Sequence, residues 1–276
     1  MSRILIIGSR TQESLEIGEA LSAAELPVEY SAGHVDALRR LRAQSFGVVI
    51  TSAYNAIDEG LAFLDEMRSI RPAVKCIVLA HRSTPGEVIA ALRARVFAFF
   101  SPPFDVHEIV HIATHAASES QWGDDIEILS ARPGWVSVRV NSRLISAERL
   151  MSFLKELSSQ MPSDAKHELL QALREIVLNA MEHGAAFNPE QVVEVTAIRT
   201  KRAMVFRVRD PGAGFRHESI THAANHASQD PIAHIPLREE DGMRAGGYGL
   251  LLAAGTVDEL IYNEIGNEAI LIKYLD

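Results

Sequence analysis

Across residues 1–118, short runs that are apolar on successive positions alternate five times with amphipathic stretches. ILIIG leads into QESLEIGEALSAA, PVEYSA into HVDALRRLRAQ, and FGVVITS into EGLAFLDEMRSI. VKCIVLA then precedes EVIAALRAR, and VFAFFSPPF precedes DVHEIVHIATHAA. A strand followed by a helix, repeated, folds as a parallel sheet with helices on both faces, and strands without polar alternation suit a sheet covered on both sides. The single cysteine, Cys76, lies within VKCIVLA and reads as a buried strand position. Alone it can form neither an internal disulfide nor a multi-cysteine metal site.

The grammar changes after SESQWGDDIE, a polar stretch containing Gly123. It places a linker at 119–125 between a first domain at 1–118 and a second at 126–276, and a chain of 276 residues is long enough for two cores. Beyond it, IEILSA and WVSVRV alternate apolar and polar residues around RPG, the pattern of an antiparallel hairpin with one wet face. A helix over 146–160, a turn at Met161 and Pro162, and a second helix capped by Ser163 or Asp164 follow. Strands at 191–199 and 202–209, a long irregular stretch, a helix starting near Gly249 and strands at 258–264 and 268–274 complete an α+β pattern.

Composition excludes several classes. With a net charge of −9, the chain lacks the surplus of Lys and Arg needed to neutralise nucleic-acid phosphates, so proteins with basic or mixed surfaces are the expected partners. No apolar run reaches the roughly 18 residues that span a bilayer, and no membrane partner is expected. In MSRILIIGSR the apolar segment is closed by Gly8 and Arg10, too short for a secretory signal, so the cytoplasm is the expected location.

REIVLNAMEHGA is the most informative segment. On a helix, Glu175 and Asn179 share a face, and His183 lies four positions further along it, stacking a carboxylate, an amide and an imidazole in one stripe. Leu173, Ile176, Val177 and Ala180 give the same helix a core side. A hard cation such as Mg2+ would draw on the amide oxygen of Asn179, although a solvated stripe would use the same residue types. Downstream, MVFRVRDPGAGF ends a strand at Asp210 and turns through Gly212 and Gly214. An aspartate there can accept a hydrogen bond from an exocyclic amine, and glycine lets backbone approach a ligand, but an ordinary turn has the same composition. RAGGYGLLLAAG then sets Gly246, Gly247 and Gly249 before an apolar helix, whose free N–H groups form a phosphate site without a P-loop lysine.

In order and spacing, E-x-x-x-N-A-x-x-H-G, D-x-G-x-G and G-x-G-L resemble the N, G1 and G2 boxes of the GHKL (Bergerat-fold) ATPases, over 146–276. The His-Gly of the first box and the ending GYGLLLAAGTVDEL look most like the anti-sigma-factor serine kinases. The resemblance implies an α/β sandwich with a mixed sheet, and ATP and Mg2+ as cofactors. It implies Glu175 as general base toward a serine hydroxyl, Asn179 as Mg2+ ligand, Asp210 as adenine partner, and Gly212 and Gly214 around the nucleotide. His183 joins the nucleotide-binding set, and Gly247 and Gly249 stand at the phosphates. Arg244, at the end of the lid between Phe215 and Gly246, is a γ-phosphate contact or a solvated lid charge. A homodimer is implied by the kinase resemblance alone.

Two decoys are set aside. KHELLQAL resembles a histidine-kinase phosphoacceptor box, but His167 lies on the same expected helix as Glu175 instead of on a separate dimerisation helix. His217, His222, His226 and His234 in the lid match no common zinc spacing.

The first domain is similar to the receiver domain of response regulators, with a flavodoxin-like five-stranded parallel sheet. Its residues depart from the receiver pattern where phosphorylation would occur. Gly8 and Ser9 replace the acidic pair, Thr51 or Ser52 the acceptor aspartate, Ala80 the hydroxyl residue, and Pro102 the lysine before Pro103. Asp58 comes too late to be an acceptor. The expectation is a pseudo-receiver used for regulation or dimerisation. For the whole chain it is an ATP-dependent serine kinase that binds a sigma factor or similar target and phosphorylates a small antagonist protein. The alternative is an inactive, ATP-gated scaffold.

Overall fold

A computed structural model describes residues 2–8, 10–52, 57–119, 123–214 and 255–275. By internal contacts the chain divides into two units, residues 1–124 with 148–159, and residues 125–147 with 160–276.

In the first unit, β1 (Ile4–Ile7), β2 (Val28–Ser31), β3 (Val48–Thr51), β4 (Lys75–Leu79) and β5 (Ala98–Phe100) form a parallel sheet in the order β2-β1-β3-β4-β5. This is the flavodoxin-like order, reached through five strand–helix repeats. Every residue of β1, β3, β4 and β5 is buried, as their unbroken apolar character requires, whereas the edge strand β2 is only half-buried. Cys76 is buried in β4, and desolvation pushes its thiol up to about 12. The helices are α1 (Gln12–Ala23), α2 (His34–Ala43), α3 (Ile57–Ile70), α4 (Pro85–Arg93) and α5 (Val106–Ser118). Local sequence sets their starts: Thr84 and Glu87 close a capping box before Pro85, and the Asp105 carboxylate accepts the Glu108 N–H.

The boundary between the units falls inside α6 (Leu144–Leu157). Residues 148–159, which the sequence reading put in the second domain, cluster instead with the first. The reason is polar and buried. Arg149, 1% exposed, donates from Nε to the Phe97 carbonyl at 2.9 Å, stacks on the Phe97 ring at 4.4 Å and lies 3.6 Å from Asp124. Glu156 accepts the Ser101 N–H at 3.1 Å and the Ser101 hydroxyl at 2.5 Å. Lys155 donates to Glu108 on α5 at 2.8 Å. Residues flanking β5 on both sides are thus held by α6, a set of pairings that apolar periodicity does not encode.

The second unit has a six-stranded sheet in the order β10-β11-β9-β8-β7-β6. Its strands are β6 (Ile126–Arg132), β7 (Trp135–Asn141), β8 (Val192–Arg199), β9 (Ala203–Arg209), β10 (Glu259–Tyr262) and β11 (Glu268–Tyr274). With the helices the sheet forms the expected α/β sandwich, and where a mixed sheet was expected all strand pairings among the described residues are antiparallel. β6–β7, β8–β9 and β10–β11 each pair with the next strand in the chain, and the α6–α7 connection returns β8 antiparallel to β7. Gly134 closes the first hairpin with φ +81°. Alternate residues point inward: Val136, Val138 and Val140 on β7, Met204, Phe206 and Val208 on β9. α7 (Ser163–Asn179) packs on β9 and β11 through Leu169, Ala172, Leu173, Ile176 and Val177. Each large aliphatic buried there contributes about 1.5–3 kcal/mol. Its N-cap is Pro162, without a side-chain hydrogen bond, so neither Ser163 nor Asp164 caps it. No helix among the described residues is long and apolar enough to cross a membrane.

Truncating Arg149 removes a desolvated cation and leaves the Phe97 carbonyl without its donor. Arg149→Ala should therefore cost about 3 kcal/mol in chemical denaturation of the full chain. A loss below about 1 kcal/mol, the range of exposed ion pairs, would contradict this account of α6.

Candidate functional site

Glu175 and Asn179 both lie on α7, one turn apart and half-buried. Four residues on a regular helix return to the same face, so the carboxylate and the amide lie along one stripe of α7. The Glu175 carboxylate has the Arg174 guanidinium 3.8 Å away. α7 stops at Asn179, and the chain continues as a π-helical turn over Ala180–Gly184, in which the Ala185 N–H reaches the Ala180 carbonyl at 3.0 Å. His183 lies exposed within this wider turn, four residues beyond Asn179. Such bulges occur often at functional sites.

Gly184 ends the π turn against Asp210. A methyl group built on Gly184 would lie 2.2 Å from both Cγ and Oδ1 of Asp210. One built on Gly212 would lie 2.8 Å from that same Oδ1 and from the Gly184 Cα. Only hydrogen on both α-carbons allows the end of α7 and the turn after β9 to touch around the carboxylate. The turn is fastened further by the Gly212 N–H, which donates to Asp210 Oδ1 at 2.8 Å. Gly214 has φ +79°, and a methyl there would lie 2.1 Å from the Ile265 carbonyl oxygen.

A third segment completes the cluster. The Asp210 N–H donates to the Asn267 carbonyl at 3.0 Å, and Asn267 Nδ2 donates to the Gly212 carbonyl at 3.2 Å. Asn267 is fixed by Asn263, whose Oδ1 accepts the N–H groups of Gly266, Asn267 and Glu268 at 2.8, 3.1 and 3.2 Å. Sequence reasoning singled out none of Gly184, Asn263 and Asn267 as functional. Gly184 stood inside the quoted motif without a role, and N-E-I-G-N reads only as a hairpin turn. Arg244, Gly247 and Gly249 lie outside the described residues, as does the lid with its four histidines.

The electrostatics of Asp210 follow from this enclosure. Burial pushes its carboxyl above the usual carboxylate range, against the hydrogen bonds from Gly212 and its own backbone that pull it down. A raised folded value means that stability is greatest below the unfolded pKa of about 3.9 and is lost as pH rises through the folded one. Asp210→Asn keeps an acceptor for Gly212 and removes the charge. The ligand-free variant should be at least as stable as the parent at pH 7, with the difference closing as pH falls toward that unfolded value. Urea denaturation across this range checks it, and a variant less stable at pH 7 than at pH 4 relative to the parent would reverse the sign.

Among solved structures, the first unit is similar to a CheY-like response regulator receiver domain protein from Methanospirillum hungatei, at 19% identity and a TM-score of 0.38, covering 42% of this chain and 92% of that one. A response regulator from Thermotoga maritima matches at 17% identity and a TM-score of 0.40, over 43% of this chain and 100% of that one. No curated protein matches the chain. Residues 140–273, from the last residues of β7 to β11 and so including α7, the π turn and the Asp210 cluster, match the model of the histidine kinase-like ATPase domain, and an ATPase domain of this kind implies ATP binding.

Proposed function

We propose that the second unit is an ATP-dependent protein serine kinase of the partner-switching kind, and that the first is a phosphorylation-incompetent receiver that regulates it or mediates dimerisation. The observation that carries the proposal is the meeting of Gly184, Asp210 and Gly212, which joins the helix bearing Glu175 and Asn179 to a half-buried carboxylate. Asp210 and the two glycines offer one acceptor in a tightly enclosed turn, suited to the exocyclic amine of an adenine. The donor set also fits Mg2+, which prefers oxygen ligands, and the amide oxygen of Asn179 would hold it. When bound, Mg2+ offsets phosphate charge during transfer. Glu175, one turn before Asn179, then accepts the proton of a partner serine hydroxyl as the γ-phosphoryl group moves to that oxygen. The partners proposed are a sigma factor or similar target and a small antagonist protein as substrate. Support for the receiver reading comes from strand ends that carry Gly8, Thr51, Ala80 and Pro102, where phosphorylation would need carboxylates, a hydroxyl and a lysine.

The test is phosphoryl transfer from radiolabelled ATP to a partner co-purified from the native cell, wild type beside Glu175→Gln. The amide conserves volume, so nucleotide binding should persist while transfer slows roughly 100-fold or more. Equal rates would remove Glu175 from the mechanism. No transfer by the wild type, with ATP still altering partner affinity, would replace the kinase by a nucleotide-gated scaffold.

A further inference from the structure

Outside the nucleotide site, α5 and α6 bring together a second set of metal-competent side chains, all within the first unit. His111 and His115 are four residues apart on α5 and so share a face, with ring centroids 4.8 Å apart. Glu148, from α6, reaches the same place, with its Oε2 2.8 Å from His111 Nε2. One ligand atom from each of the three residues lies within 4.8 Å of the others. We infer that His111, His115 and Glu148 form a binding site for a divalent transition metal of the zinc type.

The chemistry of the donors selects the metal. Two imidazoles and one carboxylate suit Zn2+, Co2+ or Ni2+, whereas Mg2+ and Ca2+ prefer an all-oxygen shell. The site is therefore chemically distinct from a Mg2+ site at Asn179. Around tetrahedral Zn2+, ligand atoms held at about 2.0–2.1 Å stand about 3.4 Å apart. The widest pair must close by somewhat over 1 Å, and the His111–Glu148 contact must open slightly. Side-chain rotation is the adjustment that both require.

The backbones are already fixed. Lys155 and Glu108 join the same two helices at 2.8 Å, and the buried Arg149, next to Glu148, anchors α6 through the Phe97 carbonyl. Ligands on rigid, independently held elements need little reorganisation. Three protein donors leave a fourth position for water, the arrangement of an exchangeable site. A bound ion would fasten α6 to α5 and add to the stability of the first unit.

His107 stands one turn before His111 on α5, so a plain histidine stripe is the competing explanation of any metal uptake. Glu148, on a different helix, separates the two. The full chain is stripped with chelator and titrated with Zn2+ by calorimetry and with Co2+ by visible absorption, without nucleotide. The expected result is one equivalent bound at micromolar strength or tighter, with cobalt bands of a four- or five-coordinate centre. His115→Ala and Glu148→Gln should each weaken binding at least about 10-fold, and His107→Ala should leave it nearly unchanged. Far-ultraviolet circular dichroism establishes that the variants keep their helices. No binding by the parent overturns the inference, as does binding that survives Glu148→Gln undiminished, which would assign the metal to a histidine stripe or to histidines elsewhere in the chain.

Discussion

The close approach of Gly184 to Asp210 is the contact on which the second unit's site depends. Helix α7 carries the chemically distinctive residues, and β9 delivers the carboxylate, but the two are brought into register only because the π turn ends in a residue without a side chain. A single methyl at 184 or 212 would force these segments apart, at a cost of about 1–3 kcal/mol or by displacing the carboxylate itself. The hairpin between β10 and β11 adds a third support, through the backbone and amide of Asn267. The enclosure that positions Asp210 also raises its carboxyl pKa. An ionised group held in partial burial is unfavourable, and a hydrogen-bond donor on a ligand would relieve it.

In the first unit, the polar interior is concentrated where α6 meets the β5 side. Arg149 is buried with a carbonyl, an aromatic face and a carboxylate around it, and Glu156 receives both the N–H and the hydroxyl of Ser101. These contacts draw residues 148–159 out of the domain to which their sequence neighbours belong. They also place Glu148 beside two histidines on α5, so the inferred metal site is a by-product of the same packing.

Much of this was legible in the sequence, for identifiable reasons. Unbroken apolar runs between amphipathic stretches specify a doubly covered parallel sheet, and alternation around Pro133-Gly134 specifies a hairpin, because burial on one face or two writes directly into the residue pattern. The stripe of Glu175 and Asn179 was readable from helical periodicity. The π turn was not, since Ala180–His183 are residues an ordinary helix accepts and the wider turn has no signature in the residue pattern. Asn263 and Asn267 were illegible as site residues because their contribution is through backbone and amide groups of an ordinary turn. The capture of α6 by the first unit was hidden for a related reason: it rests on buried charges, which periodicity scores as surface.

The central claim is that the Asp210 cluster and Asn179 bind ATP with Mg2+. Calorimetric titration of the full chain with ATP, with and without Mg2+, tests it most directly, with Asp210→Asn and Asn179→Ala beside the parent. The account predicts one equivalent bound at micromolar to sub-millimolar strength, a sharp loss of affinity in Asp210→Asn, and loss of most of the metal dependence in Asn179→Ala. No heat of binding with any adenine nucleotide, or affinity indifferent to both substitutions, would contradict it.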